Sequence, residues 1–164
     1  MKRIYLIRHA RSNYADSDVA DFDRSLNERG EQDAWQMGRR LKKQKARADL
    51  IISSPARRAL ATAFIIAREI DFPAEKIVLQ NSLYSSGLHA ILNVIRYLDN
   101  SVHEVMLFGH NPDITSLANY LSKHPVANIP TCGVICVDFE INSWKEITEQ
   151  QGIFKFFDFP EKNL

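Results

Sequence analysis

Arginine and histidine, the two residue types most useful for holding and transferring a phosphoryl group, recur in this sequence at three separate junctions. Arg8-His9-Ala10 follows the apolar run Ile4-Tyr5-Leu6-Ile7, Ser54-Pro55-Ala56-Arg57-Arg58-Ala59 follows Leu50-Ile51-Ile52, and Gly109-His110-Asn111-Pro112 follows Val105-Met106-Leu107-Phe108. A guanidinium is a planar fork that matches two oxygens of a phosphate. A neutral imidazole can attack phosphorus directly and carry the phosphoryl group covalently. His9 is the candidate nucleophile, provided a hydrogen bond holds its other ring nitrogen and leaves the attacking one its lone pair. Arg8 and one arginine of the 57–58 pair would hold the phosphoryl oxygens, over which charge spreads in the transition state. Adjacent residues on a helix point about 100° apart, so only one of that pair can face a pocket. The helix pattern does not choose between them. His110 is a second imidazole, placed to donate to a phosphoryl oxygen as its charge develops.

These residues are useful only if one scaffold brings them together, and strand and helix patterns alternate accordingly. Ile4–Ile7, Ala48–Ser53, Lys76–Leu79 and Val105–Phe108 read as strands. Between them come helical patterns: Ala34, Met37, Gly38 and Leu41 after an Asn27 cap, then Ala59, Ala63, Ile66 and Ile70, then Ile91, Leu92, Ile95 and Leu98. A fourth pattern carries Ile114, Leu117, Ala118 and Leu121, with Asn111 or Asp113 as its cap. Ser54 followed by Pro55 predicts an N-cap and first helical position. Val134–Phe139, a turn at Asn142-Ser143 and Trp144–Thr148 read as a hairpin, with an aromatic strand or edge cover from Ile153 to Phe159. The fold class is therefore α/β: a three-layer sandwich with a mostly parallel central sheet, helices on both faces and a C-terminal antiparallel hairpin. Residues 1–164 are expected to form a single domain. Ligands of such sheets bind at the carboxyl ends of the strands, where all three motifs fall.

Composition narrows the function classes. With 45% apolar residues, 25% charged residues and a net charge of +1, the chain offers no electrostatic case for nucleic acid or an anionic membrane. Only four apolar residues separate Met1-Lys2-Arg3 from Arg8, whereas a secretory signal needs about 7–15. No run approaches the ~20 residues of a membrane span. A cytoplasmic, monomeric protein is expected. Cys132 and Cys136 lie four residues apart on an expected strand, about 13 Å, too far for a disulfide. A metal on His9 and His110 would need a third ligand from Asp16, Asp18, Asp21 or Asp23. That segment lacks the glycine and terminal glutamate of a calcium loop, and arginines facing the site disfavour a cation. Neither metal nor cofactor is expected. His89, His103 and His124 read as surface residues, and the basic run from Arg39 to Arg47 as a solvated helix end.

Arg8-His9, Ser54-Pro55 with Arg58-Ala59 and Thr62, and Gly109-His110-Asn111-Pro112 together resemble the histidine phosphatase (phosphoglycerate-mutase-like) superfamily. The resemblance spans Arg3 to about Leu121 in the family's order. Short length, the Asn-Pro after the second histidine and the Leu83-Tyr84 segment make the chain most similar to the SixA-type phosphohistidine phosphatases. The resemblance implies a phosphorylated nucleophile at His9 and a phosphate pocket completed by Arg8, Arg58 and His110. It selects Arg58 over Arg57, because the family's arginine stands four residues after the serine. Arg24, in Asp23-Arg24-Ser25-Leu26-Asn27-Glu28-Arg29-Gly30, resembles a segment at the pocket rim and is a further phosphate-binding candidate.

Two positions depart from the family pattern. Ala10 stands where the family most often has glycine, and a left-handed backbone there would cost about 1 kcal/mol. The larger members also carry an acid that protonates a leaving alkoxide, yet residues 77–98 contain no Asp or Glu. General acid catalysis is worth about 10²–10⁴-fold, and an imidazole leaving from a P–N bond needs it least. The expected activity is therefore metal-independent hydrolysis of protein phosphohistidine, on a histidine-phosphorylated signalling or phosphotransfer protein. Two alternatives stand beside it: a small-molecule phosphomonoesterase with an acid from the Asp16–Asp23 loop, and a non-catalytic phosphate-binding module.

Overall fold

In the computed structural model, which describes residues 1–13 and 18–162, the first apolar run becomes β1 (Lys2–Arg8), one of the two middle strands of the sheet. The remaining strands are β2 (Leu50–Ser53), β3 (Val78–Leu79), β4 (Glu104–Gly109), β5 (Val134–Phe139) and β6 (Ile153–Asp158). They form one six-stranded sheet in the order β3-β2-β4-β1-β5-β6. β3, β2, β4 and β1 run parallel, and β5 and β6 add an antiparallel edge beside β1.

The two-residue period of β1 divides the core. Ile4 and Leu6 face one cluster, built with α3 (Leu88–Arg96) and α4 (Asp113–Leu121). Tyr5 and Ile7 face the other, built with α1 (Glu28–Lys43) and α2 (Arg57–Glu69). Helices thus cover both faces, as the alternating order requires. In α1 the apolar face is the expected one, Ala34, Met37, Gly38 and Leu41, and the Asn27 side chain caps it by accepting from Gly30 N–H at 2.8 Å. Gly30 must lack a side chain: a Cβ there would sit 2.1 Å from the Arg11 carbonyl oxygen. That contact locks the first turn of α1 to the chain leaving His9.

The structure corrects three elements. Trp144–Glu146 is a 3-10 turn, not a strand, and β6 is the antiparallel partner of β5. Ser143 and Glu146 form a capping box, and the buried pair Trp144 and Ile147 has helical i,i+3 spacing. Ser54 does not cap α2: the helix begins at Arg57, with Ala56 in the cap position. The third strand shortens to Val78–Leu79, with Ala74–Lys76 a 3-10 turn before it.

Both cysteines are free and buried, and His89, His103 and His124 are exposed. The basic run does close α1, although Arg40 is drawn in to Asp158 and to the Phe159 and Pro160 carbonyls. Among the described residues no helix is long and apolar enough to cross a membrane.

Candidate active site

The parallel strands β2, β4 and β1 lie side by side and end together, which sets Ser54, His110 and Arg8-His9 along one edge. Arg8 is paired with Gly109 across the β1–β4 ladder, so the two catalytic candidates that follow these residues emerge as neighbours. The His9 and His110 rings lie 5.1 Å apart, centroid to centroid. Arg58, in the first turn of α2, reaches the same point: its Nε stands 3.4 Å from His9 Nε2. Its neighbour Arg57 is exposed, which agrees with the family's choice of Arg58. Arg8, His9, Arg58 and His110 line a cavity of about 560 Å³ together with Arg11, Arg24, Asn27 and Asn111.

Each imidazole has a defined tautomer. His9 Nδ1 is 2.6 Å from the Ala10 carbonyl oxygen, which can only accept, so the proton sits on Nδ1 and Nε2 keeps its lone pair. Burial pushes the His9 pKa down to about 3, and His110, Arg58 and Arg8 push the same way against the Ala10 hydrogen bond. His110 Nε2 pairs with Ser54 Oγ at 2.8 Å, and that oxygen already accepts from Ala56 N–H at 3.2 Å. Ser54 is buried and His110 Nε2 is the acceptor within reach of its hydroxyl hydrogen, so Oγ donates to Nε2 and the His110 proton sits on Nδ1. Burial, then Arg58, holds the His110 pKa near 4. Both rings are neutral at pH 7, one presenting a lone pair and the other an N–H.

Only three buried side-chain polar atoms among the described residues lack a hydrogen-bond partner. Two of them, Arg8 Nε and His110 Nδ1, belong to this site, and the third, Asp33 Oδ2, faces Arg11 at 3.7 Å. Buried donors without acceptors are costly, and both of these would be satisfied by an anion in the cavity. Arg8 is held by Nη1 on the Ile129 carbonyl at 3.0 Å, an oxygen that also accepts from Asn111 Nδ2 at 2.9 Å. Burial, and then Arg58, lowers the Arg8 pKa, since two cations share one pocket.

Arg24 sits on the cavity wall, with its donors on Asp21, Ser12 Oγ and the Asn13 carbonyl. Of the acidic loop, Asp16 lies outside the described residues. Asp21 comes close to the site, accepting from Arg58 and Tyr84. The Tyr84 hydrogen bond, then Arg24 and Arg58, outweigh desolvation and hold its carboxyl far below the usual range. Asp21 therefore stays ionised and has no proton to give an alkoxide. Among the described residues no three His, Cys, Asp or Glu side chains are grouped to hold a metal ion.

Ala10 carries no left-handed strain: positive φ among described non-glycine residues is confined to Lys45, Asp71, Ser85, Cys132 and Gln150. Its methyl is fully buried, and its N–H donates to Thr62 Oγ1 at 2.9 Å. Local pattern reads Ser54 as a helix cap and does not distinguish Asp21 from its acidic neighbours. The serine in Ser-Pro reads as a cap wherever it occurs, and four aspartates in eight residues are equivalent until the chain folds.

Comparison with known proteins agrees with this fold. The model of the histidine phosphatase superfamily (branch 1) matches residues 4–81. An uncharacterised chloroplastic protein of Arabidopsis thaliana is 30% identical over 159 residues, covering 92% of this chain and 72% of its own. A structure from Agrobacterium tumefaciens assigned to phosphohistidine phosphatase SixA is 26% identical, with a TM-score of 0.79 over 95% of this chain and 96% of its own. The protein histidine phosphatase SixA complexed with tungstate shares the fold, with a TM-score of 0.83 at 19% identity over 96% of this chain and 97% of its own.

Proposed function

Because this chain belongs to the histidine phosphatase superfamily and is a phosphatase of SixA-like fold, we propose that it hydrolyses phosphohistidine on a signalling or phosphotransfer protein through a phospho-His9 intermediate. The observation that carries this reading is the fixed His9 ring. Nδ1 is committed to the Ala10 carbonyl, and Nε2 is left with its lone pair beside the Arg58 guanidinium.

His9 Nε2 attacks phosphorus, and the P–N bond of the substrate breaks with its electron pair passing to the departing imidazole. The departing ring carries its proton on the other nitrogen, so it leaves neutral. His9 becomes the protonated phosphoimidazole, its Nδ1–H still on Ala10. Water then attacks phosphorus, the P–Nε2 pair returns to His9, and dihydrogen phosphate is released. Arg8 Nε–H, Arg58 Nε–H and His110 Nδ1–H are the donors for the phosphoryl oxygens, where preorganised hydrogen bonds lower the barrier most. Arg24 contributes at the rim. Nucleophile and leaving group are both imidazoles, so the first step is nearly balanced and asks for no general acid. The ionised state of Asp21 and the lack of any acid in residues 77–98 favour a P–N substrate over an ester.

The test compares hydrolysis of a histidine-phosphorylated protein with that of p-nitrophenyl phosphate, both in EDTA, with His9→Ala as control. Acid-labile phosphate on His9, found by mass spectrometry of quenched wild-type enzyme, together with faster P–N cleavage, is the expected result. Preference for the ester refutes the substrate, and turnover that survives in His9→Ala refutes the intermediate.

A further inference from the structure

Arg58 is not free to turn. Its Nη1 donates to the Asp21 backbone carbonyl at 2.7 Å and its Nη2 to Asp21 Oδ2 at 3.1 Å, a two-point grip that leaves Nε directed at His9 Nε2. Asp21 is gripped in turn. Oδ2 also accepts from Tyr84 at 2.7 Å, and Oδ1 accepts from Arg24 Nε and Nη2 at 3.2 and 3.0 Å. Tyr84 packs edge-on against His110 at 5.3 Å, and Phe22 packs edge-on against Tyr84 at 5.4 Å. The 3-10 turn Asp21–Asp23 is thus tied to both the arginine and the second histidine.

From this arrangement we infer that Asp21 is a positioning residue with two effects: it aims Arg58 at the reacting phosphoryl group, and its charge weakens the grip of the pocket on phosphate. The inference rests on the phosphatase reading above. A pocket with Arg8, Arg58 and Arg24 around one anion risks holding its product too well. Arg58 is almost fully buried, so its charge is poorly screened, and a carboxylate on the same guanidinium offsets it. The half-exposed Asp21 is negative, as is the phosphate that must leave, and the two repel across Arg58. Binding energy given equally to substrate, transition state and product does not raise turnover. A carboxylate that aims the donor while reducing uniform anion binding shifts the balance toward release.

The two effects separate by sign. Asp21→Asn keeps the backbone carbonyl for Nη1 and one amide oxygen for Nη2 and Tyr84, while it removes the charge and turns the acceptor that faces Arg24 into a donor. Calorimetric titration with inorganic phosphate should then give a Kd about tenfold lower than wild type. A separation on the order of 6 Å between one charge and a dianion in water corresponds to that tenfold change. Single-turnover and steady-state rates should diverge, with kcat limited by release. A merely structural Asp21 would do the opposite and weaken phosphate binding. Asp23→Asn removes the same charge from an exposed neighbour and should change Kd by less than about twofold.

Equal or weaker phosphate binding by Asp21→Asn overturns the inference, as does an equal tightening in Asp23→Asn. In either case the wild type still binds phosphate and the proposed function stands. Wild-type protein that binds no phosphate removes both together.

Discussion

Two buried, neutral histidines make folding stability depend on pH in a window where few other groups titrate. In the unfolded chain His9 and His110 take up protons near pH 6.5; in the fold they resist until about pH 3 and about pH 4. Between those limits the unfolded state binds more protons, so stability falls as pH falls. Each histidine contributes about 1.4 kcal/mol per pH unit, or about 2.7 kcal/mol from pH 6.5 to 4.5, and the pair roughly 5 kcal/mol. That approaches the whole stability of an ordinary domain. Carboxylates held low, such as Asp21, lose their contribution only below about pH 4 and leave this window alone. Urea unfolding at half-unit steps from pH 7.5 to 4.5, on wild type and on the His9→Gln/His110→Gln variant, measures the difference. Wild type should lose several kcal/mol and the variant about 1 kcal/mol or less over the same range. Parallel curves would refute the neutral buried state of both rings and, with it, the assignment of a lone pair to His9 Nε2 at pH 5–7.

Two supporting hydroxyls give further tests. Buried Thr62 Oγ1 accepts from Ala10 N–H and donates to the Arg58 carbonyl, so it ties the chain leaving His9 to the helix that carries Arg58. Thr62→Val keeps the shape but leaves a buried N–H unpaired. Chemical denaturation should show a loss of about 1–3 kcal/mol, and a loss under about 0.5 kcal/mol would mean the N–H finds another acceptor. Ser54→Ala removes the partner that fixes the His110 tautomer. It should lower kcat about tenfold with little change in KM, while nitrogen chemical shifts of the His110 ring move toward a mixture of tautomers. An unchanged tautomer would show that Ser54 only fills space.

Much of the fold was legible because it rests on short-range rules. A four-residue apolar run ending in Arg-His, helical spacing in Ala34, Met37 and Leu41, and Asn27 ahead of Glu28 each read correctly from local pattern and capping chemistry. The errors fell where two rules compete. Trp144–Thr148 has the aromatic and β-branched residues of a strand, but Ser143 and Glu146 form a capping box that turns the chain instead. Ser54 carries the signature of a helix cap, yet it stands three residues before the helix begins and is spent on His110 and on the N–H of Ala56.

For the site, residue types and order along the chain marked the candidates: Arg8, His9, the Arg57-Arg58 pair and His110 each stand at or just beyond the end of a strand, and parallel strands must end on one edge. Tertiary structure decided how those groups are set. The choice of Arg58 over Arg57, implied by family resemblance, became a matter of burial only once α2 was rotated against the sheet. The neutrality of both histidines required a protein interior around them, because desolvation is a property of the surroundings and not of the residue. What sets Asp21 apart from Asp23 includes its reach to Arg58 and Tyr84, 37 and 63 positions away along the chain. Contacts at such separation depend on where every intervening element packs, and no local pattern records them.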